Sequence, residues 1–147
     1  MHLQVRATPA ASPPDVELLL RRLTAETVDL AAVGGSNVEF GGELAFVPKD
    51  GQEDKATAAL VKYGYKFRVL LVDHPDDGLA LCWVDDVAGG LHACLAKVAE
   101  ENLQKGRIIR DILIGTERDD KQPGKIPVHI YSEQVRTSNS VQQVQPA

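Results

Sequence analysis

The strongest concentration of metal-ligand side chains in this sequence is the segment from Asp73 to Gly78, which contains three aspartates and His74. Carboxylates and an imidazole suit a divalent cation. However, their spacing matches no cation-binding pattern, and the same residue types beside Pro75 are typical of a hairpin loop. The sequence therefore favours a turn here and predicts no metal site.

The sequence contains no arrangement typical of a catalytic nucleophile. His92 and Cys94 stand two positions apart on a predicted helix and so point to different faces. Cys82 and Cys94 lie in apolar neighbourhoods without CxxC spacing, which predicts reduced, buried, structural thiols. No phosphate-binding loop, dinucleotide fingerprint, zinc pattern or serine elbow is present. We therefore expect a protein that is not an enzyme and that uses no cofactor.

One combination of polar residues keeps an enzymatic alternative open. Alternation along a predicted strand puts His129 and Tyr131 on the same face, with Asp111 on the neighbouring strand. A small ferredoxin-like enzyme of unknown reaction would use these three side chains in a cleft. The commoner explanation is a set of polar residues on the solvent face of a sheet.

The glycine pair Gly89 and Gly90 lies between a predicted strand, which ends at Asp85, and a predicted helix, which starts at Leu91. Free backbone amides and the helix dipole at such a junction favour a negatively charged ligand group. Asp85 and its neighbour Asp86 oppose an anion but would suit an amino group. The glycines are equally compatible with a tight turn that binds nothing.

Charge and hydropathy exclude several classes of partner. The chain has 147 residues with a formal net charge of -5, and its basic residues are scattered rather than gathered into a stripe, so we expect no nucleic-acid partner. No apolar run approaches the roughly 20 residues of a membrane helix, and the N-terminus does not resemble a signal peptide. These features predict a cytoplasmic protein that does not contact a membrane.

Hydrophobic periodicity predicts the order strand, helix, strand, strand, helix, strand in the first half of the chain. The predicted elements are His2–Ala7, a helix capped by Ser12, Val28–Val33, Glu43–Val47, a helix through Ala56 and Tyr63 that ends at Gly64, and Phe67–Val72. The second strand is expected to end in a loop at Gly34, Gly35, Ser36 and Asn37, because these residues favour turns.

The second half begins with the same order but is shorter. Its predicted elements are a strand at Leu79–Val84, a helix from Leu91 to Gly106, and strands at Arg107–Ile114 and Ile126–Tyr131. A second helix and a fourth strand are missing, since the chain becomes polar from Gln134 onward. We expect a first unit at 1–75, a second, incomplete unit at 79–133 and a polar tail at 134–147.

This recurring order resembles tandem ACT domains, which are ferredoxin-like regulatory modules. The resemblance rests on the strand-to-helix turn from Trp83 to Leu91, which is similar to the family's D-x-P-G-x-L turn, and on Val28 to Gly35, which is similar to its second strand. It implies an α+β fold with a βαββαβ unit, a partial βαββ repeat and antiparallel sheets covered by helices. It also implies a ligand site formed by Asp85, Val87, Ala88, Gly89, Gly90, Leu91, Ser36 and Asn37.

The resemblance implies a regulatory module that senses a small molecule, possibly an amino acid, without catalysis. The incomplete second unit would leave a sheet edge open, and open edges favour pairing with another strand. The sequence therefore predicts a homodimer that joins sheets across this edge.

Overall fold

The computed structural model describes residues 3–8, 16–38, 41–72, 74–85, 87 and 89–135. These residues form seven strands and three helices in an α+β arrangement. In chain order the elements are β1 (Leu3–Thr8), α1 (Val16–Ala25), β2 (Leu30–Val38), β3 (Gly41–Pro48), α2 (Glu53–Lys62), β4 (Lys66–Leu71), β5 (Leu79–Asp85), α3 (Gly90–Lys105), β6 (Arg107–Ile114) and β7 (Lys125–Gln134). The predicted ferredoxin-like order, a βαββαβ unit followed by βαββ, is confirmed.

The strands form two antiparallel sheets. The four-stranded sheet has the order β2-β3-β1-β4, and the three-stranded sheet has the order β5-β7-β6. If β5, β6 and β7 are matched to β1, β2 and β3, the two orders agree except that the strand equivalent to β4 is absent from the described residues. Because β4 pairs with β1 in the first sheet, the edge left open in the second sheet is that of β5.

Helices α1 and α2 cover one face of the four-stranded sheet. The apolar stripe predicted for α1 is present, and its Leu19 and Leu23 pack with Leu60 of α2 against Phe46 of β3. Each of these four side chains is less than 3% exposed. Full burial of a large apolar side chain contributes roughly 1.5–3 kcal/mol, so this layer is a principal source of stability for the first half of the chain.

Helix α3 covers one face of the three-stranded sheet. Val98 of α3 packs with Val84, Val128 and Ile130 of β5 and β7, while Leu91, Cys94 and Leu95 lie at the margin of the same cluster. The helix ends at Gly106, which adopts a left-handed conformation with φ of 66°. The predicted end of this helix at Gly106 is confirmed.

The two remaining sheet faces pack against each other. Arg6 of β1 contacts Asp111 of β6, and a side chain added at Gly34 of β2 would meet Leu113 of β6. The resulting order of layers is α1 and α2, the four-stranded sheet, the three-stranded sheet, then α3. The central strand β1 is therefore covered on both faces, and its polar residues Gln4 and Arg6 are buried between the two sheets.

The predicted loop at Gly34 to Asn37 is wrong, since β2 continues through these residues and pairs with β3. The register joins Gly34 to Ala45 and Ser36 to Glu43. Glycine is common in turns, but it also occurs in strands where another backbone or side chain approaches closely. A Cβ atom at Gly34 would lie 2.4 Å from Cδ2 of Leu113. The absence of a side chain at Gly34 therefore lets the neighbouring sheet pack closely here.

No helix in the described part of the chain is long and apolar enough to span a membrane.

Candidate functional site

The glycine turn between β5 and α3 has the conformation that the sequence predicts, with the helix starting one residue earlier than expected. Gly89 is the N-cap residue with φ of 89°, and Gly90 is the first helical residue. Gly90 N donates to Val87 O at 3.1 Å. A Cβ atom at Gly90 would lie 2.3 Å from the carbonyl oxygen of Asp85, so only glycine lets the helix start this close to the end of the strand.

The start of α3 has no side chain that compensates its dipole. Gly89 provides no capping hydrogen bond, and the first turn contains no acidic residue. The positive end of the helix dipole and the amides of the first turn are therefore uncompensated by side chains of this helix. Asp85, at the end of β5, is exposed beside this turn.

The other predicted site residues differ in their surroundings. Val87 is 70% exposed, whereas Leu91 packs against the apolar cluster beneath α3. Ala88 lies outside the described residues. The exposed side chains at the turn, Asp85 and Val87, are accessible to a ligand, while Leu91 has a structural role in the core.

Ser36 and Asn37 lie at a distance from the glycine turn. Both belong to β2, next to Gly35, which lines a cavity with Asp111. Their side chains lie outside what the structure describes. Asp111 is level with Leu79 across the three-stranded sheet, whereas Asp85 is six residues further along β5, about 20 Å at the usual rise of a strand. The structure therefore does not bring the two predicted groups together.

A buried polar cluster joins the two sheets, and its centre is Arg6. This side chain is 2% exposed, and its Nη1 donates to Asp111 Oδ1 at 3.1 Å and to Gln4 Oε1 at 2.8 Å. Its Nε donates to Glu43 Oε1 at 2.8 Å, and its guanidinium lies 4.3 Å from the centre of the Tyr131 ring. Burial alone would lower the pKa of Arg6, but the hydrogen bonds and charges of Asp111 and Glu43 outweigh burial and raise it.

Sequence reasoning missed this cluster because the alternation of apolar and polar residues in His2–Ala7 is typical of a strand with one buried and one solvated face. Val5 and Ala7 do lie in one core, but Gln4 and Arg6 on the opposite face are also buried. A small cavity of about 160 Å³ adjoins the cluster, lined by Arg6, Glu43, Asp111 and small or apolar residues. The central position of β1 in a ferredoxin-like sheet could have indicated that its polar residues are buried. The sequence did not show, however, what covers the second face of this strand.

The residues of the enzymatic alternative lie in this same interface. His129 and Tyr131 are 3% and 4% exposed, so the expectation that they occupy a solvent face is wrong. The second sheet face is covered by the four-stranded sheet, which is why they are buried. The Asp111 carboxylate is bound by Arg6, and the Tyr131 hydroxyl accepts a hydrogen bond from Arg68 Nη2 at 2.8 Å. These contacts assign Asp111 and Tyr131 to the packing of the two sheets.

The acidic segment after β4 contains the turn that its sequence favours. Asp77 Oδ2 accepts a hydrogen bond from Leu71 N at 2.8 Å, and Asp77 Oδ1 lies 3.3 Å from His74 Nδ1. His74 N donates in turn to Leu71 O. Asp73 lies outside the described residues. The side chain of Asp77 thus stabilises the connection between β4 and β5.

Comparison with known proteins supports the fold but names no family. No protein-family model and no curated protein matches the chain. Among solved structures, protein BT0572 from Bacteroides thetaiotaomicron has a TM-score of 0.60 and 17% sequence identity, over 97% of this chain and 87% of that chain. The regulatory subunit of aspartate kinase from Thermus thermophilus, in ligand-free form, has a TM-score of 0.53 and 15% identity, over 97% of this chain and 90% of that chain.

The fold is ACT-like. At these identities the likeness extends to the fold alone. The α+β, ferredoxin-like interpretation of the sequence is thereby confirmed. The division at residues 75 and 79 and the ligand-binding residues stay predictions.

Proposed function

We propose that this protein is a non-catalytic regulatory module that binds a small molecule, with an amino acid as the expected ligand class, at the turn between β5 and α3. The observation that carries the proposal is the start of α3. There, Gly90 packs on the Asp85 backbone, and no side chain of the helix caps the first turn. A ligand carboxylate at these amides and a ligand ammonium group at Asp85 would satisfy both charges of an amino acid.

The fold supports a regulatory role, since one similar solved structure is described as the regulatory subunit of aspartate kinase. His129 and Tyr131 are buried between the sheets and Asp111 is bound by Arg6, which favours a structural role for these residues over a catalytic one. Ser36 and Asn37 belong to the sequence-predicted ligand set. Because these two residues lie far from the turn, any ligand that they bind would occupy a site separate from the one at Gly89.

The direct test is a thermal-shift screen with the common amino acids, followed by NMR titration with each amino acid that stabilises the protein. We expect at least one amino acid to raise the melting temperature, because a ligand that binds only the folded state stabilises it. Amide resonances of Gly89, Gly90 and Leu91 should shift on titration. An absence of stabilisation by every amino acid would contradict the ligand class.

A matched pair of variants separates ligand contact from backbone strain. Gly89→Ala and Gly51→Ala both place an alanine at positive φ, 89° and 86°, in surroundings with no heavy atom within 4 Å of the new Cβ. Each substitution should cost about 1 kcal/mol of stability. Only Gly89→Ala should also weaken binding of the stabilising amino acid. Equal binding by both variants would place the ligand elsewhere.

We further propose that two copies associate across the open edge of β5. Ser132 N donates to Gly78 O at 2.8 Å. In an antiparallel ladder, every second residue from such a bonded pair directs its backbone N–H and C=O groups to the neighbouring strand, here β7. The backbone groups of Ala80, Cys82 and Val84 accordingly point to β7. Those of Leu81 and Trp83 point to the open edge, where another strand can pair with them.

Proline substitutions at adjacent positions test this edge. Leu81→Pro removes a donor that points outward and should leave a folded monomer, whereas Cys82→Pro removes a donor to β7 and should unfold the sheet. Light scattering gives the mass of each variant, and circular dichroism reports its folding. A wild-type monomer at micromolar concentration, or a folded Leu81→Pro dimer, would contradict association through β5.

A further inference from the structure

A cleft of about 690 Å³ opens where β4, the β4–β5 connection, the start of β6 and the end of β7 meet. Its lining is mainly polar and includes three arginines: Arg68 on β4, and Arg107 and Arg110 on β6. The cleft is separate from the glycine turn, since the start of β6 and the end of β7 lie at the opposite end of the three-stranded sheet from Asp85.

Two of these arginines are held in place by neutral groups. Arg68 Nη2 donates to Tyr131 Oη at 2.8 Å, and its guanidinium lies 5.2 Å from the centre of the buried Tyr131 ring. Arg107 Nη2 donates to the carbonyl oxygen of Asp76 at 3.2 Å. Arg107 Nε also donates to Gln134 Oε1 at 3.1 Å, in the amide orientation that lets Gln134 donate to Gly106 O. These contacts fix the guanidinium groups and leave most of their five donors available.

The carboxylates that line the cleft do not all pair with its arginines. Glu133 accepts from Arg110 Nη1 at 2.6 Å and lies 4.0 Å from Arg68 Nη2, and Arg110 Nη2 also lies 3.8 Å from Glu43 Oε1. Asp77 is turned toward Leu71 N and His74. Among the described residues, no carboxylate lies within ion-pair distance of Arg107; Asp76, the other acidic residue of the cleft, meets it through its backbone oxygen.

Three guanidinium groups and three carboxylates, those of Asp76, Asp77 and Glu133, line the cleft, but only Glu133 lies within ion-pair distance of a lining arginine. Each guanidinium presents a planar fork of N–H donors that matches the two oxygens of a carboxylate or phosphate. A guanidinium group in a concave surface with no described carboxylate within ion-pair distance, such as that of Arg107, attracts anions. The cleft therefore has the chemistry of an anion site, and its acidic rim at Asp76 and Asp77 limits the size of the anion that fits.

We propose that this arginine cleft binds a small polyanion through carboxylate or phosphate oxygens, with Arg107 as the principal contact and Arg68 as the second. This site is additional to the one under Proposed function and does not depend on it. A regulatory module with two sites of different chemistry would respond to two effectors.

The test is titration of the intact protein with citrate and, separately, with inorganic phosphate at low ionic strength. Calorimetry gives the dissociation constant, and NMR gives the location. Amide resonances of Arg107, Ser132 and Glu133 should shift while those of Gly89 and Gly90 do not. Tighter binding of citrate would indicate a carboxylate ligand, and tighter binding of phosphate a phosphorylated one. No shift from either anion up to about 10 mM would overturn the proposal.

Variants of matched charge make the test specific. Arg107→Ala should weaken binding at least about tenfold, since it removes charge-assisted hydrogen bonds. Arg118→Ala, in the loop between β6 and β7, removes an exposed arginine bonded to Thr116 O and should change binding less than about twofold. Arg68→Gln provides a second probe if Arg107→Ala fails to fold. Equal weakening by Arg118→Ala and Arg107→Ala would show a general charge effect and contradict the site.

Discussion

Arg6 and Asp111 lie 105 positions apart in the sequence, and a two-pronged ion pair between them joins the two sheets. Arg6 is almost fully buried, whereas the Asp111 side chain is 34% exposed. The pair therefore extends from the interior of the interface to its rim. Glu43 supplies a second carboxylate to Arg6, so the buried cation stays paired even when Asp111 is removed.

This arrangement predicts unequal effects of removing each partner. Arg6→Ala leaves Gln4, Glu43 and Asp111 without their donor and should lower the free energy of unfolding by about 3–5 kcal/mol. Asp111→Ala leaves Glu43 in place and should cost less, about 1–3 kcal/mol. Urea unfolding measures both, with the exposed Arg21→Ala as a control that should cost under about 0.5 kcal/mol. A larger loss for Asp111→Ala than for Arg6→Ala would refute the assignment.

The close approach of Gly34 to Leu113 predicts a coupled pair of substitutions. Gly34→Ala places a Cβ 2.4 Å from Leu113 Cδ2 and should cost about 1–3 kcal/mol, because Leu113 is buried and must move. Gly35→Ala, whose new Cβ meets no atom closer than 3.4 Å, should cost less. In a Leu113→Ala background the cost of Gly34→Ala should shrink. A double-mutant cycle with no coupling energy would contradict this contact.

The contacts of Glu133 predict a small loss of stability in acid. Burial alone would raise the pKa of Glu133, but the hydrogen bond and charge of Arg110 outweigh burial, with help from Tyr131 and Arg68, and lower it. A lowered pKa in the folded state contributes stability above the ordinary glutamate value of 4.5, and this contribution is lost as the pH falls further.

Both side chains of the Arg110–Glu133 pair are more than a third exposed, so solvent screening limits the effect to about 0.5 kcal/mol. Glu133→Gln should flatten this part of the stability profile between about pH 5 and pH 3. Thermal melting across that range, in wild type and variant, provides the measurement. A profile of identical slope in both proteins would show that Glu133 does not contribute.

Cys94 is predicted to be an unreactive thiol. Burial, with a hydrogen bond and charge interaction from Cys82, raises the pKa of Cys94 to about 12. Since the thiolate is the reactive form, iodoacetamide at pH 8 should modify Cys94 far more slowly in the native protein than in urea. Mass spectrometry of peptides locates the label. Rapid native labelling of Cys94 would contradict the predicted burial and pairing.

The sequence predicted the fold well where periodicity alone decides the structure. Residues Arg107–Ile114 were predicted as a strand with the bounds that β6 has, and the glycine end of α3 was also correct. The prediction from sequence failed where contacts between distant residues decide the local structure. Gly34 and Gly35 have the composition of a turn, but the approach of Leu113 accounts for Gly34 within a strand.

The residues of the candidate sites were harder to predict where their partners are distant in sequence. Local pattern located the turn at Gly89, whose chemistry depends on neighbours in the chain. Arg6 and Arg107 are ordinary strand residues by local pattern. The partners of Arg6 come from the second sheet, and those of Arg107 from the β4–β5 connection and β7, so no spacing motif marks either residue.

Because one polypeptide carries both sheets, the contact that Arg6 makes with Asp111 is intramolecular, and its effective concentration is unaffected by dilution. Pairing through β5 would instead be bimolecular and would weaken as the protein is diluted. Measuring the mass of the protein over a series of concentrations therefore distinguishes the interface between two chains from the interface inside each chain. The abundance of the protein would set how much of it is assembled through β5, while each chain would keep its internal interface at any abundance.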